Sequence, residues 1–157
     1  MNASVPPVPA DYLPRPDVEA DIRAMLLRTV GAMSLTAGFD GPAGIGKTTL
    51  AKVMCNDSEV RRHFSDGVLW LPVGRERTGD EVMKSLAEKM AIHVDGNGSL
   101  LPAMQARIAG RRLLVVLDDV WFSEQVAAFV ALDAGISGLL VLLLTTRNAQ
   151  LAATYGE

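Results

Sequence analysis

Residues 41–48, Gly41-Pro42-Ala43-Gly44-Ile45-Gly46-Lys47-Thr48, follow the pattern G-x-x-x-x-G-K-[ST], a Walker A phosphate loop. Each residue type has a physical task. Gly41, Gly44 and Gly46 let the backbone curl, so that successive N–H groups, that of Ile45 among them, converge on a β-phosphate. A helix running on from Lys47 adds its positive N-terminal end. Lys47 supplies a point charge to the β- and γ-phosphates, the Thr48 hydroxyl is placed to ligate Mg²⁺, and Thr49 follows for a further phosphate contact. The dinucleotide pattern G-x-G-x-x-G does not fit, because the glycines at 41, 44 and 46 are spaced otherwise. A second candidate is the acid pair Asp118-Asp119 after an apolar run. Neighbouring strand residues point to opposite sides, which assigns the two acids different work. Asp118 would hold Mg²⁺, through water, and Asp119 would orient or deprotonate the attacking water. Thr145-Thr146-Arg147 closes the set, with Arg147 as a charge sensor for the γ-phosphate.

These residues need a scaffold that brings three distant segments to one edge. Leu113–Leu117 and Leu139–Leu144 are continuously apolar rather than alternating, which fits central strands of a parallel sheet covered on both faces. Ser34–Phe39 reads as a strand feeding the phosphate loop, and Val68–Leu71 as another. Lys47–Asn56 suits a helix with Leu50, Val53 and Met54 on one side. Val18, Ile22, Met25 and Leu26 mark an earlier helix capped by Asp17. Val82, Leu86 and Met90 mark one helix and Leu101, Met104 and Ile108 another, with Asp95-Gly96-Asn97-Gly98 as the loop between them. Val126, Phe129 and Val130 suggest a last helix, started by Ser123. Strands alternating with helices predict an α/β three-layer fold with a mainly parallel sheet. The prolines crowd into the first sixteen residues, a stiff connector (1–16) ahead of a core at 17–157.

Composition narrows the partners. At 157 residues the chain has the size of one domain. Lys plus Arg number 15 against 18 Asp plus Glu, a net charge of -3 that gives no footprint for nucleic acid or an anionic membrane. The longest apolar run is far below the roughly 20 residues of a membrane span. A lone cysteine, Cys55, cannot pair internally, and a cytoplasmic setting is the simple reading.

GPAGIGKTTL at Gly41–Leu50, LLVVLDDVW at Leu113–Trp121 and LLLTTR at Leu142–Arg147 resemble, in order and spacing, the NB-ARC domain. That domain is the nucleotide switch of plant disease-resistance proteins and apoptotic protease-activating factors. FSDGVLW at Phe64–Trp70 is similar to the same family's intervening segment. The resemblance implies a P-loop ATPase core that holds ADP at rest and ATP when active, with Mg²⁺ and slow hydrolysis. Lys47 and Thr48 carry over as phosphate and Mg²⁺ ligands, Asp118 as the Mg²⁺ residue, Asp119 as the water-orienting acid and Arg147 as the sensor. Tyr12–Pro16 occupies the place of the linker that touches adenine, which makes Leu13 and Arg15 base contacts, although the family's Gly-Arg-Glu triplet is absent there. It further implies a fifth strand, a Gly-Leu-Pro-Leu motif, a helical domain and a winged helix. On that reading the chain is truncated at its C-terminus. The Ser34–Phe39 strand is then a sheet edge, and protein partners or self-association follow.

Two other readings stay open. A small self-contained kinase or ATPase would need an arginine-bearing lid and an acceptor pocket. A scaffold fragment would have lost nucleotide binding with its closing domains. A GTPase is disfavoured by the lack of Asn-Lys-x-Asp and of Asp-x-x-Gly after the acid strand. Elsewhere Cys55 reads as a packing thiol and Trp70 and Trp121 as packing anchors. His63 and His93 lack a second-ligand pattern. Arg61-Arg62 and Arg75-Glu76-Arg77 read as solvated turns.

Overall fold

The apolar runs become the centre of a parallel sheet. A computed structural model of the chain describes residues 5–34, 45–94, 99–133 and 138–155. Along the chain the elements are α1 (Pro16–Arg28), β1 (Gly31–Ser34), α2 (Ile45–Cys55), α3 (Ser58–His63), β2 (Gly67–Pro72) and α4 (Gly79–Lys89). They continue with α5 (Leu100–Ile108), β3 (Arg112–Val120), α6 (Glu124–Asp133), β4 (Leu139–Thr146) and α7 (Ala149–Tyr155). The strands lie in the order β1-β4-β3-β2, every pair parallel.

Strand alternation splits the core into two apolar layers. Leu69, Leu71, Val115, Leu117, Leu142 and Leu144 face one side and meet Val82 and Leu86 of α4, Met104 of α5, Phe129 of α6 and Leu151 of α7. Val68, Trp70, Leu114, Val116, Val141 and Leu143 face the other and meet Ile22 and Leu26 of α1, Leu50 and Met54 of α2 and Val60 of α3. Because both faces are buried, neither β3 nor β4 can carry the polar alternation of a half-exposed strand. Among the described residues no helix is long and apolar enough to cross a membrane.

Several details differ from the sequence reading. β1 begins at Gly31, three residues before the predicted strand, because Gly31–Ser34 is the stretch in register with Val141–Leu144. Residues 35–40 lie outside the described residues, as do 41–44 and the loop at 95–98. α1 starts at Pro16 with Arg15 at the cap position and no side-chain cap, so Asp17 stands inside the first turn. The helix start is tied instead by Glu19, whose Oε2 accepts from the Arg15 N–H at 2.8 Å and from the Tyr12 hydroxyl at 2.9 Å. Val130 is 43% exposed, and Leu132 takes the buried position of α6 instead. Arg61 and Arg62 lie on a short helix, α3, rather than in a turn. Arg77 is tied down, donating to the carbonyls of Pro72 and Glu81 and to Ser85.

α3 exists through its cap. Asp57 Oδ1 accepts from the N–H groups of Glu59 and Val60 at 2.9 and 3.0 Å, while Oδ2 takes the Arg23 guanidinium of α1 at 2.8 Å. Burial alone would raise the Asp57 carboxyl. The Arg23 hydrogen bond and charge, with the two backbone donors, outweigh it and hold the carboxyl below its usual range. A lowered folded value means stability present above the unfolded carboxylate range and lost as pH falls through the folded value. Asp57→Ala should therefore cost about 1–2 kcal/mol at pH 7. In urea titrations the gap between wild type and variant should shrink at pH 3, and a gap independent of pH would contradict the charged cap.

Candidate functional site

At the carboxyl end of the sheet, β3 and β4 fall out of step. Leu117 pairs with Leu144 and Val120 with Thr146, so Asp118 and Asp119 together oppose the single residue Thr145. This is a β-bulge, and Asp119 takes the left-handed conformation with φ +63°. That conformation costs a non-glycine residue about 1 kcal/mol, less for an Asp than for a branched residue. The Thr145 hydroxyl clamps the bulge from across the ladder. Its Oγ1 accepts from the Asp119 N–H at 2.9 Å and donates to Asp118 Oδ1 at 2.6 Å. From the other side, the N–H groups of Val73 and Gly74 donate to the carbonyls of Asp118 and Asp119 at 2.8 and 2.9 Å. Gly74 has φ +77°, the turn by which the chain leaves β2 for α4. The premise of simple strand alternation at the acid pair therefore fails: the bulge brings both acids into the lining of one cleft.

That cleft, of about 190 Å³, is lined by Lys47, Thr48, Asp118, Asp119, Thr145, Thr146 and Arg147. Lys47 and Thr48 come from the first turn of α2. The Lys47 ammonium donates to the Thr146 carbonyl at 3.0 Å, and the Thr48 hydroxyl donates to Asp118 Oδ1 at 2.9 Å. Asp118 Oδ1 thus serves two hydroxyls, whereas among the described residues the Asp119 carboxylate accepts no hydrogen bond. β4's end is fixed by Thr146, whose hydroxyl donates to the Val120 carbonyl at 2.6 Å and accepts from the Asn148 N–H at 3.0 Å. Arg147 follows it, exposed at the rim. Two cations face two carboxylates, so attraction of an anion rests on Lys47 and the N-terminal end of α2 rather than on net charge.

Of the residues selected from sequence, Lys47, Thr48, Asp118, Asp119 and Arg147 meet here. Gly46 and Thr49 lie beside them on α2, half-buried, and Ile45 opens that helix. Gly41 and Gly44 lie outside the described residues. Leu13, 81% exposed, and Arg15 stand on the segment between the Pro9–Tyr12 turn and α1, and neither is among the residues that line this cleft. Sequence reasoning missed the clamping role of Thr145, whose only signal was a hydroxyl placed after an apolar strand. Among the aromatics, Trp70 is buried as expected. Trp121 is half-buried, with the Arg75 guanidinium 5.4 Å over its ring. Burial pushes the Cys55 thiol up to about 12 against a smaller opposing pull from Arg61, which makes it an inert packing group.

A parallel α/β sheet with a lysine–threonine helix start facing a strand-end acid is the core of a P-loop NTPase. The chain belongs to the NB-ARC domain family, whose model matches residues 18–157. NB-ARC domains are nucleotide-binding P-loop domains. Relatives include "Disease resistance RPP13-like protein 4" of Arabidopsis thaliana, 32% identical over 83% of this chain and 16% of the relative. "Disease resistance protein RGA2" of Solanum bulbocastanum is 33% identical over 74% of the chain and 12% of its own length. "Disease resistance protein RPH8A" of Arabidopsis thaliana is 36% identical over 69% and 12%. The chain thus spans less than a fifth of the length of each of these relatives.

Proposed function

We propose that the chain binds ADP and ATP at this cleft, as the nucleotide-switch core of a signalling protein of the defence type, with slow Mg²⁺-dependent hydrolysis. The observation that carries the reading is the meeting of Thr48 Oγ1 and Asp118 Oδ1 at 2.9 Å. Both are hard oxygens of the kind Mg²⁺ takes, the Thr48 hydroxyl keeps lone pairs free while it donates to the carboxylate, and an ion that retains several waters can be held by a carboxylate through one of them. The residues present fit that ion, with Thr48 and Asp118 to hold it, the latter through water. Bound there, Mg²⁺ would supply the positive charge that offsets the β- and γ-phosphate oxygens.

The chain's own groups divide the remaining work. Lys47 would release the Thr146 carbonyl and turn its ammonium to the phosphates. The backbone N–H groups of the loop at Gly41, Gly44, Ile45 and Gly46 would cradle them, with Thr49 behind. Asp119 would accept a hydrogen bond from the attacking water, and Arg147 at the rim would read the γ-phosphate. A cleft of about 190 Å³ takes the phosphate end and not a whole nucleotide, since pockets for ligands of that size run to about 300–1,000 Å³. The base belongs elsewhere, and Leu13 and Arg15 are its proposed contacts. A cytoplasmic setting, a connector at 1–16 ahead of the core, and protein partners or self-association complete the reading. The relatives' names support the defence role.

Calorimetry with ADP and with ATP, each with and without Mg²⁺, tests it. Saturable heats for both nucleotides, with ATP binding strengthened by Mg²⁺, are the expected outcome. The absence of saturable heat with either nucleotide overturns the reading.

A further inference from the structure

β2 and β3 diverge beyond Gly74 and Val120, and the fork between them opens beside the acid pair. A parallel pair that splays apart leaves backbone N–H and C=O groups without ladder partners, and such groups are costly when buried. The fork is closed by one side chain. Gln125, on the first turn of α6, is completely buried. Its Oε1 accepts from the N–H groups of Trp121 and Phe122 at 2.8 and 3.0 Å. Its Nε2 donates to the carbonyls of Gly74 and Arg77 at 2.8 and 2.7 Å. A primary amide carries two donors and an acceptor with two lone pairs, and here all four capacities are used. Gln125 therefore stands in for the peptide group of a missing strand residue between β2 and β3.

The consequence reaches the site through Gly74. Its carbonyl is held by Gln125 while its N–H donates to the Asp119 carbonyl at 2.9 Å. On the other side of the same bulge Gln125 fixes Trp121 and Phe122, the residues into which β3 runs out. Asp119, left-handed, is thus gripped by Thr145 on its N–H and by the Gly74–Gln125 chain on its carbonyl. We infer that Gln125 is a positioning residue for the Asp118–Asp119 pair, setting the bulge so that both carboxylates enter the cleft. It touches neither carboxylate and acts through backbone. The functional half of the inference rests on the Mg²⁺–nucleotide reading above.

Two measurements test it. In Gln125→Met, which keeps the volume and removes all four hydrogen bonds, the amides of Gly74 and Asp119 should exchange roughly tenfold faster. The central β3 amides of Val115 and Val116 should be unchanged. In the same variant the ratio of ATP affinity with Mg²⁺ to that with a chelator should fall about ten- to a hundredfold. Metal-free ADP affinity should hold, a split that a general loss of stability would not produce. Should Gln125→Met not fold, Gln125→Glu keeps the acceptor bonds to Trp121 and Phe122 and carries both measurements. Unchanged Gly74 and Asp119 exchange in a folded variant overturns the positioning claim. Faster exchange with an unaltered Mg²⁺ ratio overturns its link to the metal. A wild-type chain that binds no nucleotide sinks the functional reading instead, and the exchange result then decides the geometric claim by itself.

Discussion

Lys47→Met should weaken ADP binding by about ten- to a hundredfold and ATP binding by at least about a hundredfold while leaving the fold in place. The ammonium sits half-buried in the first turn of α2, and its partner is the Thr146 carbonyl at the end of β4. No acid pairs with it among the described residues, so its charge is free to be spent on an anion. A charge-assisted hydrogen bond contributes about 1.5–3 kcal/mol, and Lys47 would make one to the β-phosphate of ADP but two to the β- and γ-phosphates of ATP, so the loss is about ten- to a hundredfold for ADP and at least about a hundredfold for ATP. The methionine keeps most of the stem's packing against α2's neighbours. What the fold loses is one neutral acceptor's partner, a cost of about 1 kcal/mol. Calorimetry and thermal denaturation on the same preparation separate the two. A variant that binds ADP as tightly as wild type would remove Lys47 from the phosphate site. Loss of binding together with loss of the folding transition would show only that Lys47 is structural.

The sheet was legible in the sequence because its signal is redundant. β3 is apolar at every buried position and β4 is apolar from Leu140 to Leu144, so an error of a residue at either end changes nothing about their identity. The start of β1 was not legible for the opposite reason. Gly31-Ala32-Met33 is small and carries no apolar run, and only its pairing with Val141–Leu143 marks it as strand. α6 shows a related limit. Val126, Ala127, Ala128, Phe129, Val130 and Leu132 make it apolar nearly all round, so periodicity cannot say that Phe129 and Leu132 are buried and Val130 exposed. α3 is too short for any period to register, and its one signal was the capping Asp57. At the site, the motif residues were found because their chemistry is carried by type and local spacing. The bulge was not, because it depends on how β3 registers against β4, a property of two strands and not of either. Thr145 and Gln125, which hold that bulge, look in sequence like any hydroxyl and any amide.

The acid pair is where that bulge makes a difference that can be measured. Asp118→Asn should lower ATP affinity in the presence of Mg²⁺ by about ten- to a hundredfold and leave metal-free ADP binding nearly unchanged. The asparagine oxygen can still accept from Thr48 and Thr145, so both hydrogen bonds survive and only the charge is lost. Asp119→Asn should do the reverse, keeping Mg²⁺–ATP bound while slowing hydrolysis by about a hundredfold or more. The division comes from hydrogen-bond occupancy rather than from strand alternation. Asp118 Oδ1 is already committed to two hydroxyls beside the proposed metal position. Asp119, left-handed in the bulge and bonded through its backbone to Thr145 and Gly74, presents a carboxylate with no other donor among the described residues. An asparagine there keeps the left-handed backbone, since Asn tolerates that region about as well as Asp. A lost rate then reports on the missing base and not on a collapsed bulge. Mg²⁺ titrations of ATP binding and single-turnover hydrolysis, run on both variants, make the comparison. Equal loss of Mg²⁺ dependence in the two would mean that the carboxylates hold the ion jointly, and the assignment of Asp119 to water would have to be given up.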